Sequence, residues 1–207
     1  MILKAKHHPF IYPFFRYYTK YLLKKHFNNV FINGEGFKEN LPVLLLANHF
    51  SWWDGFFALY LDMKVFNKKF HFMMLEEQLR KYWYFNYSGG FSVKRGSRSV
   101  LESLHYASEL LKTCGNMVLM FPQGEIQSMH RQDFKFEKGV ERIISNRPNQ
   151  IQVIFLACLI DFLSHKKPDA YMYYTCYTGK LTNLQTLQAD YNLFYRESVR
   201  QQNRLRE

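Results

Sequence analysis

The chain of 207 residues contains few residues that break or cross-link a polypeptide: six prolines, ten glycines and three cysteines. No linker, repeat or low-complexity tract divides it, so we expect one domain with a sizeable core. Cys114, Cys158 and Cys176 are odd in number, widely spaced and lie in or beside apolar runs. This pattern predicts reduced core thiols and argues against a disulfide framework and a zinc site, and we expect no metal ion.

Long hydrophobic runs are also absent. No apolar stretch reaches the roughly 18 residues that a transmembrane helix needs, so we expect none. Pro9, Pro13 and Arg16 interrupt the apolar residues at the N-terminus, and no small-residue cleavage site follows them. We therefore expect no signal peptide and a cytoplasmic protein.

Acidic residues are scarce relative to basic ones, 17 against 28, which gives a net charge of +11. Such a balance predicts an anionic partner: nucleic acid, an anionic membrane surface, or a phosphorylated or acyl-carrier substrate. Aromatic residues are abundant, with 20 Phe and 15 Tyr, and some are expected at the surface.

Many of these aromatics lie near the N-terminus. In residues 9–27, Phe, Tyr and Leu alternate with Arg16, Lys20, Lys24 and Lys25. This composition is typical of an amphipathic helix in the headgroup layer of a membrane, and equally of a helix that packs its aromatic face on the domain. We treat residues 1–28 as an amphipathic N-terminal segment and residues 29–207 as the main domain.

The remaining pattern predicts alternating strands and helices. Apolar runs at 41–47, 70–75, 117–121, 151–160 and 170–177 predict strands, and a turn at 89–95 leads into another. Segments 76–84, 99–112, 137–145 and 182 onward predict helices. The fold class is therefore α/β: a single domain with a mixed, largely parallel sheet covered by helices on both faces.

A His and an Asp follow the first predicted strand within the segment Asn48-His49-Phe50-Ser51-Trp52-Trp53-Asp54. An imidazole can take the proton of an attacking hydroxyl, and a carboxylate on its other ring nitrogen would fix the tautomer. The alternative is structural: with Ser51 three residues before Asp54, the pair could form a reciprocal helix cap. Spacing alone favours the cap.

Two further segments carry polar groups beside turns. Pro122-Gln123-Gly124-Glu125 follows a predicted strand, and ligands gather at the carboxyl edge of α/β sheets. Lys94 and Arg95 follow a pair of glycines, in a segment suited to phosphate oxygens. The structural alternatives are an ordinary turn and a solvated basic loop.

Together, the three segments resemble the glycerophospholipid acyltransferases, which carry a His-x4-Asp signature. The block Asn-His-x-Ser-x-x-Asp is intact at residues 48–54. Gly89, Val93 and Arg95 match a second block, Gly-x-x-x-Ile-x-Arg, and Phe121, Pro122, Gly124 and Ser128 match a third, Phe-Pro-Glu-Gly-Thr-Arg-Ser. The resemblance runs from about residue 40 to 160, with the blocks in the family's order.

The resemblance implies transfer of a fatty acyl chain from an acyl carrier protein or coenzyme A thioester, as co-substrate, to a lysolipid hydroxyl. No other cofactor is implied. His49 would be the general base and Asp54 its orienter. The substrate-binding residues would be Asn48, Ser51, Lys94, Arg95, Pro122, Gln123, Gly124 and Glu125.

In the third block, Gln123, Glu125 and Ile126 stand where the family has Glu, Thr and Arg. This departure leaves the acceptor open between lysophosphatidate and a lyso-amino-acid lipid. By resemblance we expect a peripheral protein on the inner face of the cell membrane, in contact with anionic lipids.

Two other classes compete. A basic, aromatic-rich chain could bind single-stranded nucleic acid, but its aromatics lie mostly within apolar runs and no nucleic-acid motif occurs, so we expect no such partner. A catalytically altered relative that only binds lipid is the other alternative, because the third block is changed.

Overall fold

The computed structural model describes residues 2–94, 96, 99–145, 150–179 and 183–205. Within them the strands are β1 Val30–Glu35, β2 Val43–Ala47, β3 Lys69–Leu75, β4 Gly90–Val93, β5 Asn116–Met120, β6 Gln152–Asp161 and β7 Asp169–Cys176. The α-helices are α1 Ile11–His26, α2 Asp54–Leu61, α3 Glu76–Lys81, α4 Ser99–Leu110, α5 Gly139–Ser145 and α6 Leu184–Gln202. A π-helical turn, Asp62–Phe66, follows α2, and a 3₁₀ turn, Trp83–Phe85, follows α3.

The seven strands form one sheet in the order β1-β7-β6-β2-β5-β3-β4. Among the described strands, only β6 and β7 pair antiparallel, which confirms the predicted mixed, largely parallel sheet. β1 was not predicted from the sequence. It is an edge strand with four exposed residues out of six, and its apolar run from Val30 to Ile32 is only three residues long, which is too short to predict a buried strand.

Helices cover both faces of the sheet, as predicted. β2 is buried on both sides because its side chains alternate between two cores. Leu44 and Leu46 face the core that includes residues of α4, α5 and α6. Val43, Leu45 and Ala47 face the other core, which includes residues of α1 and α2.

Helix α1 packs one face on the domain and exposes the other. Phe15, Thr19, Leu22 and Leu23 are buried. Four aromatics lie on the exposed side at spacings of four, three and four residues, which places them in one stripe. We call this stripe the aromatic ridge; it consists of Phe10, Phe14, Tyr17 and Tyr21, which are 79%, 56%, 71% and 48% exposed.

The helix predicted for residues 9–27 is thus present, and its packing on the domain accounts for only half of its aromatics. The predicted division at residue 28 stays a prediction. In the described part of the chain, no helix combines the length and hydrophobicity needed to cross a membrane. One expectation was wrong: Cys114 is exposed because it lies in the loop after α4, and only Cys158 is a fully buried thiol.

Asp62, the first residue of the π-helical turn, is a buried carboxyl. Its Oδ1 accepts a hydrogen bond from the Lys68 backbone N–H at 2.8 Å. Its Oδ2 has no hydrogen-bond partner and lies 3.7 Å from the Arg16 guanidinium. Burial raises the pKa of Asp62 from 3.8 to about 6, although the Lys68 N–H and the Arg16 charge oppose the rise.

This raised pKa predicts a pH-dependent stability. Folding favours the protonated carboxyl, so its contribution is complete below the unfolded pKa and is lost as pH rises through about 6. The free energy of unfolding of the unsubstituted protein, measured relative to that of Asp62→Asn, should therefore decrease by about 2 kcal/mol between about pH 4 and about pH 8. Urea unfolding at both pH values measures this difference. Asp133→Asn, at an exposed carboxyl, is the control, and equal pH dependence of all three proteins would contradict the assignment.

Candidate active site

Two of the predicted segments meet at the carboxyl edge of the sheet. β2 and β5 are adjacent parallel strands, so their carboxyl ends lie side by side. Residues 48–54 follow β2 directly, and residues 121–127 follow β5. The fold therefore places the His-Asp segment next to the Pro-Gln-Gly-Glu turn.

Asn48 fixes the start of the first segment. β2 ends at Ala47, whereas its neighbour β6 continues to Asp161, so the backbone of Cys158 lies beyond the last strand pair of β2. The Asn48 amide takes that place: Nδ2 donates to Cys158 O at 2.9 Å, and Oδ1 accepts from Cys158 N at 2.8 Å. These contacts position the loop, while the predicted substrate contact of Asn48 stays a prediction.

Asp54 organises the loop that follows. Its Oδ2 accepts hydrogen bonds from His49 Nδ1 at 2.7 Å, from Phe50 N at 2.7 Å and from Ser51 N at 2.9 Å. Its Oδ1 accepts from Ser51 Oγ at 2.6 Å. The carboxyl is buried, so these four donors supply the compensation that a buried charge requires.

The interpretation as a catalytic pair and the interpretation as a structural cap are therefore compatible, because one carboxylate binds both the imidazole and the turn. The cap differs in detail from the expectation. The N-cap of α2 is Trp53, and Ser51 Oγ accepts a hydrogen bond from Trp53 N at 3.1 Å instead of capping the helix directly.

His49 is held from three sides. Its ring stacks on Phe121, with centroids 4.0 Å apart and planes 11° from parallel. Its backbone N–H donates to Gln123 Oε1 at 2.7 Å, and its carbonyl accepts from Gln127 N at 2.9 Å. The side chain remains 24% exposed. With Nδ1 bound to Asp54, Nε2 is the ring nitrogen left for a substrate.

The turn after β5 is itself fixed by a row of side chains. Gln123 Nε2 donates to Gln127 Oε1 at 3.2 Å, and Gln127 Nε2 donates to Glu125 Oε1 at 3.0 Å. Gly124 has a φ of +70°, which favours glycine, and its N–H donates to Phe121 O. Gln123 is buried, whereas Glu125 is exposed.

The other predicted residues lie further from His49. Pro122 is buried, and its carbonyl accepts from Glu137 N at 2.8 Å. Lys94 follows β4, which is two strands beyond β5 in the sheet, so it lies at the same edge but roughly 10 Å further along it. Arg95, the favoured phosphate contact, lies outside the described residues.

Several contacts were not predicted from the sequence. Gln127 binds both the His49 carbonyl and the side chains of Gln123 and Glu125, yet nothing in its sequence context distinguishes it. The Phe121 ring supports His49, and the only sequence signal for this role was that Phe121 belongs to the third block. The role of Cys158 rests on its backbone and is invisible in the sequence.

Two tyrosines of α6 pack close to Asp54. Tyr191 Oη donates to Leu156 O at 2.9 Å, and Tyr195 Oη donates to Met129 O at 3.0 Å. Burial raises the pKa of both phenols well above the usual range, and the nearby Asp54 charge acts in the same direction. Both therefore stay neutral at physiological pH. No group of three or more side chains suited to a metal ion occurs among the residues that the structure describes.

Comparisons with known proteins identify the family and the fold. A family model described as Acyltransferase matches residues 29–159. The fold is similar to that of the 1-acyl-sn-glycerophosphate (LPA) acyltransferase PlsC from Thermotoga maritima, with a TM-score of 0.61 and 18% sequence identity. That alignment covers 94% of this chain and 80% of the Thermotoga chain. No curated protein matches the sequence.

The Asn48 contacts predict a specific loss of stability. Asn48→Ala leaves the N–H and C=O of Cys158 without their partner, which should cost about 2 kcal/mol in the free energy of unfolding. Asn28→Ala, at an exposed position whose described hydrogen bond uses the backbone, is the matched control. Chemical denaturation measures both, and equal stability of the two variants would show that the Asn48 amide does not hold the loop.

Proposed function

The chain belongs to the acyltransferase family, and on this premise we propose that it transfers a fatty acyl chain from an acyl thioester to a hydroxyl group of lysophosphatidate or a related lysolipid. The observation that carries the proposal is the 2.7 Å contact between His49 Nδ1 and Asp54, which leaves Nε2 as a base at the edge of the sheet.

The proposed reaction is a direct transfer. Nε2 of neutral His49 takes the proton of the acceptor hydroxyl as its oxygen attacks the thioester carbonyl carbon, and Asp54 stabilises the imidazolium that forms. The tetrahedral intermediate then collapses: the C–S bond breaks, and the thiolate takes the proton back from Nε2. The products are an ester and a free thiol.

Ser51 supports a route without a covalent enzyme intermediate. It is the hydroxyl side chain of the loop, but its Oγ donates to Asp54 Oδ1 and accepts from Trp53 N. A serine nucleophile would instead need its proton within reach of the base. In this arrangement Ser51 positions the carboxylate.

The donor is a thioester of acyl carrier protein or coenzyme A, and both are anionic partners suited to a net charge of +11. Lys94 and Arg95 are the proposed contacts for the phosphate of the acceptor. The turn at Pro122 to Glu125 lies directly beside His49 and is proposed to shape the acyl site.

A second candidate acceptor, a lyso-amino-acid lipid, is favoured by the exposed residues Glu125 and Ile126. Glu125 places an exposed carboxylate beside Gln127, and Ile126, 60% exposed, provides no charge for a phosphate. A lyso-amino-acid lipid, whose amino group is cationic, would suit this surface better than a phosphate monoester. A panel of lysolipids that includes both acceptors, assayed with one thioester, decides between them.

The aromatic ridge is proposed to bring the site to a membrane. Exposed Lys20, Lys24 and Lys25 flank it, and anionic headgroups attract such lysines while aromatic rings enter the interface. The end of α1 also contacts the catalytic loop, because Trp53 packs on His26 and Phe27 at ring distances of 5.3 and 5.0 Å. We propose a peripheral position on the cytoplasmic face of the cell membrane.

Removal of the base tests the mechanism. His49→Ala should reduce kcat by about 10²–10⁴-fold, because the hydroxyl loses its proton acceptor. Asp54→Asn should also reduce kcat strongly, because the amide no longer favours the tautomer with a free Nε2. Steady-state ester formation from a thioester and a lysolipid measures both. His105→Ala, at an exposed histidine of α4, should retain the native rate. A folded His49→Ala protein with native activity would refute the proposal.

The ridge makes a separate prediction. Phe14→Ser combined with Tyr17→Ser should weaken binding to vesicles with anionic lipid by about tenfold or more, since two interfacial rings are lost. Sedimentation with vesicles measures the loss. Phe162→Ser, at an aromatic residue 56% exposed in the turn between β6 and β7, is the control. Unchanged sedimentation of the ridge variant would exclude α1 as the membrane contact.

A further inference from the structure

A groove beside α1 lies outside the catalytic site. Its volume is about 480 Å³, and it is broadly open to solvent. One wall is the side of α1 between the aromatic ridge and the buried face, and the other includes the turn at Asn67. The lining residues are Tyr12, Pro13, Arg16, Tyr17, Lys20 and Asn67.

The lining chemistry suits an anion. Arg16 and Lys20, one helical turn apart, contribute a guanidinium and an ammonium, and the tyrosines and Asn67 add neutral polar groups. Arg16 is half-buried and lies over the Tyr12 ring at 5.8 Å, which limits its freedom. The Tyr12 hydroxyl accepts from Phe70 N at 3.2 Å, so this wall is anchored to β3.

Arg16 forms a long ion pair with one buried carboxylate, Asp62. Its neighbouring carboxylate, Asp62, lies 3.7 Å away, beyond hydrogen-bond distance, and Asp62 Oδ2 has no hydrogen-bond partner. Asp62 is fully buried beneath the groove, whereas Arg16 is 29% exposed. The guanidinium can therefore bind a group in the groove while it remains above Asp62.

The position of the groove points to a lipid. Tyr17 belongs both to the groove and to the exposed aromatic ridge. The groove is also separate from the catalytic loop: Asp54 begins α2 and Asp62 follows its last residue, which places them roughly 12 Å apart along the helix. A ligand in the groove would leave His49 accessible.

We propose that this groove is a binding site for a phosphoryl group, with Arg16 and Lys20 as its cationic ligands. A phospholipid headgroup and a soluble phosphate share this chemistry, and the place of the groove beside the ridge favours the headgroup. The proposal concerns binding outside the catalytic site and holds independently of the acyl transfer reaction.

The test uses monomeric short-chain phosphatidate, with phosphatidylcholine of the same chain length and inorganic phosphate as comparison ligands. Lys20→Gln should weaken phosphatidate binding by about five- to tenfold, since a charge-assisted contact is lost. Lys135→Gln removes the same charge from an exposed position outside the groove and away from α1, and it should bind as the native protein does. Titration calorimetry measures all three proteins.

Arg16→Lys provides a second variant that keeps the charge above Asp62. It should also weaken phosphatidate binding, because an ammonium cannot reproduce the two-point contact of a guanidinium with phosphate. A loss of affinity in Lys20→Gln that is larger for phosphatidate than for both comparison ligands supports a headgroup site, and an equal loss for inorganic phosphate supports a phosphoryl site for soluble ligands. Equal effects of Lys20→Gln and Lys135→Gln, or no phosphatidate binding by the native protein, would overturn the proposal.

Discussion

The hydrogen bond between His49 Nδ1 and Asp54 Oδ2 is the interaction on which the rest of the site depends. A buried carboxylate is costly unless donors surround it, and here the same loop supplies two backbone N–H groups and the Ser51 hydroxyl. The carboxylate that the loop surrounds is thus the same group that binds the imidazole.

The sheet supplies further contacts that hold His49 and Asn48 in place. Adjacent parallel strands bring the turn after β5 against His49, where Phe121 supports the ring and Gln123 holds the peptide N–H. Asn48 joins the loop to β6 through Cys158. A neutral Gln123 can perform this holding role through its carbonyl oxygen, while its amide continues the row to Gln127 and Glu125. The changed third block thus forms an ordered turn.

The parts predictable from the sequence are those encoded locally. Continuous apolar runs such as β2 and the helical stripe of α4 predict their elements because burial requires those patterns. β1 was missed because its apolar run is only three residues long. His49 and Asp54 were predicted to be catalytic because two other sequence blocks accompany them in the family's order. Their spacing alone favours a helix cap. Gln127 and the Asn48 contact with Cys158 depend on which strands are neighbours, and that information lies in the tertiary structure.

The central claim is that His49 and Asp54 drive a direct transfer with no acyl-enzyme. The most direct measurement mixes pure protein with an acyl carrier protein thioester and a lysolipid panel, and follows both the lipids and the intact protein by mass spectrometry. The account predicts an esterified lysolipid and an enzyme that never gains the mass of an acyl chain. A protein adduct that forms and decays with turnover, or the absence of any ester product, would contradict it.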